Sequence, residues 1–371
     1  MHIPNFKLER YFAQWEFVAP HLLSSSDVDG YQMNELLGLA DQECQMLWKN
    51  LSLGYTESAG HPLLRQQIAS LYQHISPEEI LTFAGGEEAI FILMNVLLHS
   101  GDHAIVTWPG YQSLYTVAQS VGADVSLLEL QEEQGWKLDT AKLRQTIRPN
   151  TRLIVINFPH NPTGAHLDRQ TFEEITDIAN EANAYLFSDE SYRFLEYSPE
   201  QSLPGAADLG TKNISLGVMS KSFALAGLRI GWLATHDLAL LQRVAAFKDY
   251  LSICNSAPSE ILALIALRAQ PQIIQRSLDI IQTNLVELDQ FFARWSEVFS
   301  WQRPQAGSIA FPRLLLPQPI NDFVLDLVQQ EGVMLLPGSV YDHPGNHFRI
   351  GFGRKNMTES LSRLENYLHR K

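Results

Sequence analysis

The residues of this chain that could do chemistry begin with a lysine. Lys221 stands in Ser220-Lys221-Ser222-Phe223-Ala224-Leu225-Ala226-Gly227-Leu228-Arg229-Ile230-Gly231. Small residues flank it, and Phe223, Leu225 and Ala226 predict an apolar setting. Desolvation and nearby cations pull a lysine down from about 10.4 and leave a free amine able to attack an aldehyde. Arg229, eight residues on, carries a planar fork suited to a phosphate. Upstream, Gly85-Gly86-Glu87-Glu88-Ala89-Ile90 follows a strand pattern and opens a helical one. Glycines there let backbone N–H groups approach a phosphate at the positive helix end. The string is not G-x-G-x-x-G, so a dinucleotide is not implied. Asp189 closes an apolar run in Phe187-Ser188-Asp189-Glu190-Ser191-Tyr192, and Asn161 follows another in Asn157-Phe158-Pro159-His160-Asn161-Pro162-Thr163-Gly164. Taken alone, Asp-Glu could be a metal site or a solvated turn, and Asn-Pro-Thr-Gly could be any turn.

These residues need elements to position them. From about residue 79 to 236, short apolar runs alternate with helical patterns. The strand candidates are EILTFA, HAIVTW, ADVSLLEL, TRLIVINF, AYLFSD, NISLGVM and RIGWLA. Several are apolar on both faces, as a sheet covered by helices on both sides requires. Helices are expected at Glu87–Leu98, Tyr115–Val121 and Asp168–Ala182. The alternation predicts an α/β fold with a mostly parallel, doubly wound sheet, whose ligands lie beyond the C-terminal strand ends. After about residue 240 the pattern becomes α+β. One or two long helices are expected over 257–300, then short strands at Ser308–Leu315, Val333–Leu336 and His347–Phe352, then a helix from Thr358 to Leu368. This predicts a large domain over 46–260 and a smaller α+β domain from 1–45 and 261–371. The first 45 residues show no clear strand and are expected to pack on the small domain.

The string S-K-x-F-x-x-x-G-x-R-x-G resembles the lysine signature of the class I/II aminotransferases. These share the fold of aspartate aminotransferase, fold type I of the enzymes that use pyridoxal 5′-phosphate (PLP). The resemblance runs in order from about residue 50 to 350. It implies that Lys221 holds PLP as a Schiff base, and that Asp189 pairs with the ring nitrogen. Tyr192 and Asn161 would bond the ring oxygen, with a cis bond before Pro162. The N–H groups of Gly86 and Glu87, with Ser220 and Arg229, would hold the phosphate. The glutamate side chains would then cap the helix outward. Tyr111, in Trp108-Pro109-Gly110-Tyr111, matches the aromatic that stacks on the ring. Tyr55, in Gly54-Tyr55-Thr56, matches the tyrosine that reaches the phosphate of a neighbouring subunit, which implies a homodimer with shared sites. Arg349, in His347-Phe348-Arg349-Ile350, matches the arginine that binds the substrate α-carboxylate, with Asn161 nearby. Two departures stand out. Val218 occupies a position where the family has Ser, Thr or Gly, which removes a phosphate hydroxyl that Ser220 or Ser222 could replace. Leu22-Leu23-Ser24-Ser25-Ser26-Asp27 replaces an L-x-x-G-E-like stretch near the substrate.

The resemblance implies an aminotransferase acting on an amino acid and a 2-oxo acid. The alternative is a lyase, decarboxylase or cyclase with the same lysine, because the sequence does not show which Cα bond stands perpendicular to the ring. A non-catalytic PLP-binding regulator would carry a DNA-binding extension for which the length leaves no room. The formal charge of −14 argues against nucleic acid as a partner. Cys44 and Cys254 cannot form a disulfide framework and are expected to be buried thiols. No apolar run approaches a membrane span, and the N-terminus lacks an apolar leader, so a cytoplasmic protein with no membrane partner is expected. Lys248 and Arg313 are expected to be solvated rather than in a substrate pocket. No metal site is expected.

Overall fold

The computed structural model describes residues 2–370. All seven strands expected between 79 and 236 form one sheet. They are β1 (Ile80–Phe83), β2 (His103–Trp108), β3 (Asp124–Glu129), β4 (Thr151–Asn157), β5 (Tyr185–Asp189), β6 (Asn213–Val218) and β7 (Gly231–Ala234). Their order is β1-β7-β6-β5-β4-β2-β3. Only β7 runs against its neighbours. Every residue of β5 and β6 is buried, which explains their apolar character on both faces.

Among the helices, those that bear on the site and the cores are, in chain order, α1 (Lys7–Trp15), α2 (Gly86–Leu97), α3 (Gln112–Val121), α4 (Arg169–Glu181), α5 (Ala257–Arg268), α6 (Gln270–Arg294), α7 (Ile320–Glu331) and α8 (Met357–Leu368). Alternate residues of β4 face opposite layers. Leu153 and Val155 pack with Ile92 and Leu93 of α2 and Leu114 of α3. Ile154 and Ile156 pack with Phe172, Ile175 and Ile178 of α4. The period of two thus sends one strand into two cores, as a doubly wound sheet requires.

A second core joins α6, α7 and α8 to a three-stranded antiparallel sheet of β8 (Ile309–Ala310), β9 (Leu336–Pro337) and β10 (Phe348–Gly351), ordered β8-β10-β9. The strand expected over Ser308–Leu315 breaks at Phe311-Pro312, where proline has no N–H to give a ladder. The expectation of no strand in the first 45 residues is corrected: His21–Leu22 pairs in parallel with Val333–Met334. Leu8 and Phe12 of α1 pack with residues of the large sheet. Cys44 is buried, whereas Cys254 is only partly so, against expectation. Among the described residues no helix is long and apolar enough to cross a membrane.

Candidate functional site

The last residues of three adjacent strands, Asn157 of β4, Asp189 of β5 and Val218 of β6, stand side by side. They border a cavity of about 370 Å³. Lys221, Asp189, Tyr192, Asn161, Gly86, Glu87, Tyr111, Ser220, Arg229 and Arg349 all line it. Tyr55 does not: it lies on the surface, 91% exposed.

Asn157 ties two of the loops together. Its Nδ2 donates to the Asp189 carbonyl at 2.9 Å, and its Oδ1 accepts from the Asn161 N–H at 2.9 Å. The Asn161–Pro162 peptide is cis, as the resemblance implied. Asn161 Oδ1 accepts from Tyr341 Oη at 3.0 Å and from Arg349 Nη1 at 3.3 Å. A guanidinium can only donate, so this contact fixes the amide orientation and leaves Nδ2 to donate to a ligand.

Arg349, on β10, is 1% exposed. Its Nη1 also donates to Tyr341 Oη at 2.8 Å, and its Nη2 to the Ser24 carbonyl at 2.7 Å. Burial pushes the Tyr341 phenol up to about 12, so it remains a neutral partner. Three of five guanidinium N–H groups are thus engaged, and Nε has no partner. Two donors remain for a carboxylate.

Lys221 Nζ donates to Ser26 Oγ at 2.8 Å. Burial lowers its pKa, and Arg349 lowers it further, against the pull of Asp27, Glu9 and Asp189. The result is a lysine more readily present as the free amine. Asp189 is 5% exposed. Its Oδ1 accepts from the Ser191 N–H at 3.1 Å and from Ser191 Oγ at 2.6 Å. Burial raises its pKa, opposed by those bonds and by Lys221. Among the described residues it has no ion-pair partner.

At the other end, Gly85 adopts φ +96, and a Cβ there would lie 2.4 Å from Arg229 Nη2. The guanidinium therefore closes on the backbone that opens α2. Arg229 itself sits in the left-handed region at φ 51, uncommon for a side-chain-bearing residue. A Cβ on Gly86 would lie 2.8 Å from Val218 Cγ1, so Val218 packs under this loop. Ser222 cannot replace its missing hydroxyl, because its Oγ donates to the Arg193 carbonyl at 2.5 Å. Ser220 remains at the cavity wall.

One expectation fails here. Glu88 does cap the helix outward, accepting from the Ala84 N–H at 2.7 Å, but Glu87 turns inward. Its Oε1 accepts from Ser113 Oγ at 2.5 Å, and burial raises its pKa. Lys248 is also corrected: it is fully buried rather than solvated and donates to the Ser58 carbonyl at 2.5 Å. Arg313 faces Glu132 at 3.4 Å. Neither lines the cavity.

The sequence model described as aminotransferase class I and II matches residues 22–364. The chain belongs to this family. Capreomycidine synthase of Streptomyces vinaceus is 28% identical over 99% of this chain and 94% of its own length. The crystal structure of a PLP-dependent aminotransferase from Streptococcus suis 89-1591 is 33% identical, covers 100% of this chain and 99% of its own, and superposes with a TM-score of 0.94. The structure of the PLP-dependent cyclase OrfR is 27% identical, covers 100% of this chain and 98% of its own, and superposes with a TM-score of 0.90.

The fold is fold type I, and the family's cofactor is pyridoxal 5′-phosphate. The residues present fit it. A buried carboxylate without a cation suits a protonated ring nitrogen, and a glycine loop closed by an arginine suits a phosphate. The motifs did not reveal Ser26, Tyr341 or Asn157. Asn157 carried a signal, as the polar end of an apolar strand directly before Asn161. Ser26 lay in the departing Ser-Ser-Ser-Asp run.

Proposed function

We propose that this aminotransferase-family enzyme moves the amino group of an amino acid to a 2-oxo acid through Lys221. The observation that supports it best is one cavity lined by both a lysine amine and a buried arginine with two unused donors. When bound, pyridoxal phosphate supplies the aldehyde carbon that receives the amino group and a ring that accepts the electron pair released at Cα. Asp189 would hold a proton at the ring nitrogen. Asn161 Nδ2 and Tyr192 Oη would donate to the ring oxygen, Arg229 and the α2 N-terminus would hold the phosphate, and Tyr111 would cover the ring. Arg349 would take the α-carboxylate in its two remaining donors. That grip would orient the substrate so that its Cα–H, rather than its bond to the carboxylate, is presented to the Lys221 amine. Lys221 Nζ, steered by Ser26, then takes the proton from Cα.

Arg349→Ala is expected to lower kcat/KM for every amino acid alike, by about a hundredfold, as for the loss of a charge-assisted bond pair. An effect confined to one amino acid would make Arg349 a side-chain reader and sink the argument. The full-length likeness to a cyclase favours ring closure as the second reading. A single-turnover experiment separates the two. With no acceptor, a transaminase yields one equivalent of 2-oxo acid per site and stops. A cyclase or lyase continues over many turnovers.

Tyr55 would serve the site of a second copy, and its exposure beside the exposed Leu53 supports this. Mixing inactive Lys221→Ala with a Tyr55→Phe variant is then expected to restore activity above either parent. Each mixed dimer would hold one doubly damaged and one intact site. A monomer by light scattering would refute the idea.

A further inference from the structure

One wall of the cavity belongs to α1 and its C-cap residue, where the run LERYFAQWE places Glu9, Phe12 and Glu16 at spacings of three and four. Residues so spaced share one helix face. All three line the cavity, together with Asp27. Phe12 lies against Arg349, with the guanidinium carbon 5.8 Å from its ring centre. One glutamate thus lies about one turn before Phe12 and the other about one turn after it.

The charges on this wall do not cancel. Asp27 is committed to Arg354, both of its oxygens accepting from Nη2 at 3.0 Å. Among the described residues Glu9 and Glu16 have no ion-pair partner. Among the described residues the only cations lining the cavity are Lys221, Arg229 and Arg349, and each already has a role in the reading above. Burial raises the Glu16 pKa first, then repulsion by Asp27 and Glu9, against the pull of Arg354 and Lys221. A second observation is independent of the acidic groups. Ser25, 2% exposed, lines the same cavity with a hydroxyl that has no hydrogen-bond partner. Among the described residues no three His, Cys, Asp or Glu cluster closely enough to hold a metal ion, so an inorganic divalent cation does not suit this wall.

We propose that the substrate is an amino acid whose side chain ends in a cation, an ammonium or guanidinium group, received by Glu9 of α1 and Glu16 at its C-cap. The proposal rests on the reading that Lys221 and Arg349 engage the α-amino and α-carboxylate groups. With those ends fixed, the side chain of the substrate is the part left to meet α1. A cationic end finds two carboxylates that have no ion-pair contact among the described residues, and a hydroxyl without a hydrogen-bond partner. A dicarboxylic amino acid would bring a third like charge to the same wall, which costs affinity.

Arginine and citrulline test this directly, because they differ in charge and scarcely in shape. The PLP-loaded enzyme is titrated with arginine, lysine, ornithine, citrulline, norleucine and aspartate. Half-saturation is read from the change in the cofactor's visible absorbance, and kcat/KM from product formation. A cationic member is expected to exceed citrulline and norleucine by about ten- to hundredfold in both readouts, the range of a hydrogen bond to a charged group. Glu9→Gln combined with Glu16→Gln is expected to shrink the arginine-to-citrulline ratio at least about tenfold while citrulline binding holds. A preference for neutral or acidic side chains, or a ratio unmoved by the double variant, overturns the proposal. Failure of the aminotransferase reading looks different. Cationic amino acids would still bind best and still depend on Glu9 and Glu16, but no stoichiometric 2-oxo acid would form.

Discussion

Lys221→Ala is expected to lower turnover by at least about 10⁴-fold, since on the proposed reading it removes both the covalent anchor and the base that would move the Cα proton. The geometry makes the loss specific. Lys221 Nζ is the amine at the cavity wall, held by Ser26 Oγ at 2.8 Å, and Lys248 lies outside the cavity with its amine given to the Ser58 carbonyl. Among the described residues no second lysine lines the cavity, so none of them is placed to take over. The Asp189, Asn161 and Arg229 contacts do not involve the lysine, and the cofactor should still bind without a covalent bond. Borohydride reduction followed by peptide mapping checks the assignment. The wild-type enzyme should carry the reduced cofactor on the Lys221 peptide and the variant should carry none. Label on another lysine would show the assignment to be wrong. The lowered Lys221 pKa gives the pH sign: the free amine is populated at lower pH than for an ordinary lysine, so activity limited by that amine should rise with pH and level off early.

Six of the seven strands were legible in the sequence because each is an apolar run with a turn signal at its end, and burial on both faces leaves no polar alternation to confuse the pattern; the edge strand β3 is largely exposed. Helix starts were less legible. α3 begins at Gln112, not Tyr115, because Gln112 and Ser113 are polar yet buried. Gln112 Nε2 donates to the Asn5 carbonyl at 3.0 Å and its Oε1 accepts from the Lys7 N–H at 2.9 Å, contacts more than a hundred residues away that no local pattern carries. The same reason hid the His21–Leu22 strand, whose partner is Val333–Met334. At the site, the residues that answer to a motif came together, apart from the exposed Tyr55, whereas the supporting network did not show. Tyr341 braces both Arg349 and Asn161, but a tyrosine in Ser-Val-Tyr-Asp reads as core until the fold brings β9 and β10 beside the Asn161 loop. The inward turn of Glu87 was likewise invisible, since the bond that holds it comes from Ser113 on the next helix.

Asp189→Asn is expected to cut kcat by about a thousandfold while leaving the fold and most of the cofactor affinity in place. The substitution is nearly isosteric, and an amide oxygen can still accept from the Ser191 N–H and Oγ that now bond Oδ1. The packing of β5 between β4 and β6 is untouched. What disappears is a negative charge buried at the end of β5, with no cationic side chain paired to it among the described residues. Taking that carboxylate out of water is costly, and burial raises its pKa. A bound cationic ring nitrogen would offset that cost and would in turn keep its proton. The neutral amide cannot hold the proton there, so the electron pair released at Cα loses its sink, and a fixed charge aimed at developing charge is worth several kcal/mol in a dry site. The ratio of effects decides between roles. Cofactor dissociation constant, thermal midpoint and kcat are measured on the same variant. A collapse of kcat with less than about a tenfold change in cofactor affinity places Asp189 in the chemistry. Near-wild-type kcat removes it from that role, and a parallel loss of midpoint and activity makes it a structural carboxylate. Asp189→Glu adds a control, because it restores the charge but displaces it by one methylene. It should recover part of kcat if charge is what matters, and none if Asp189 only fills space beside Ser191.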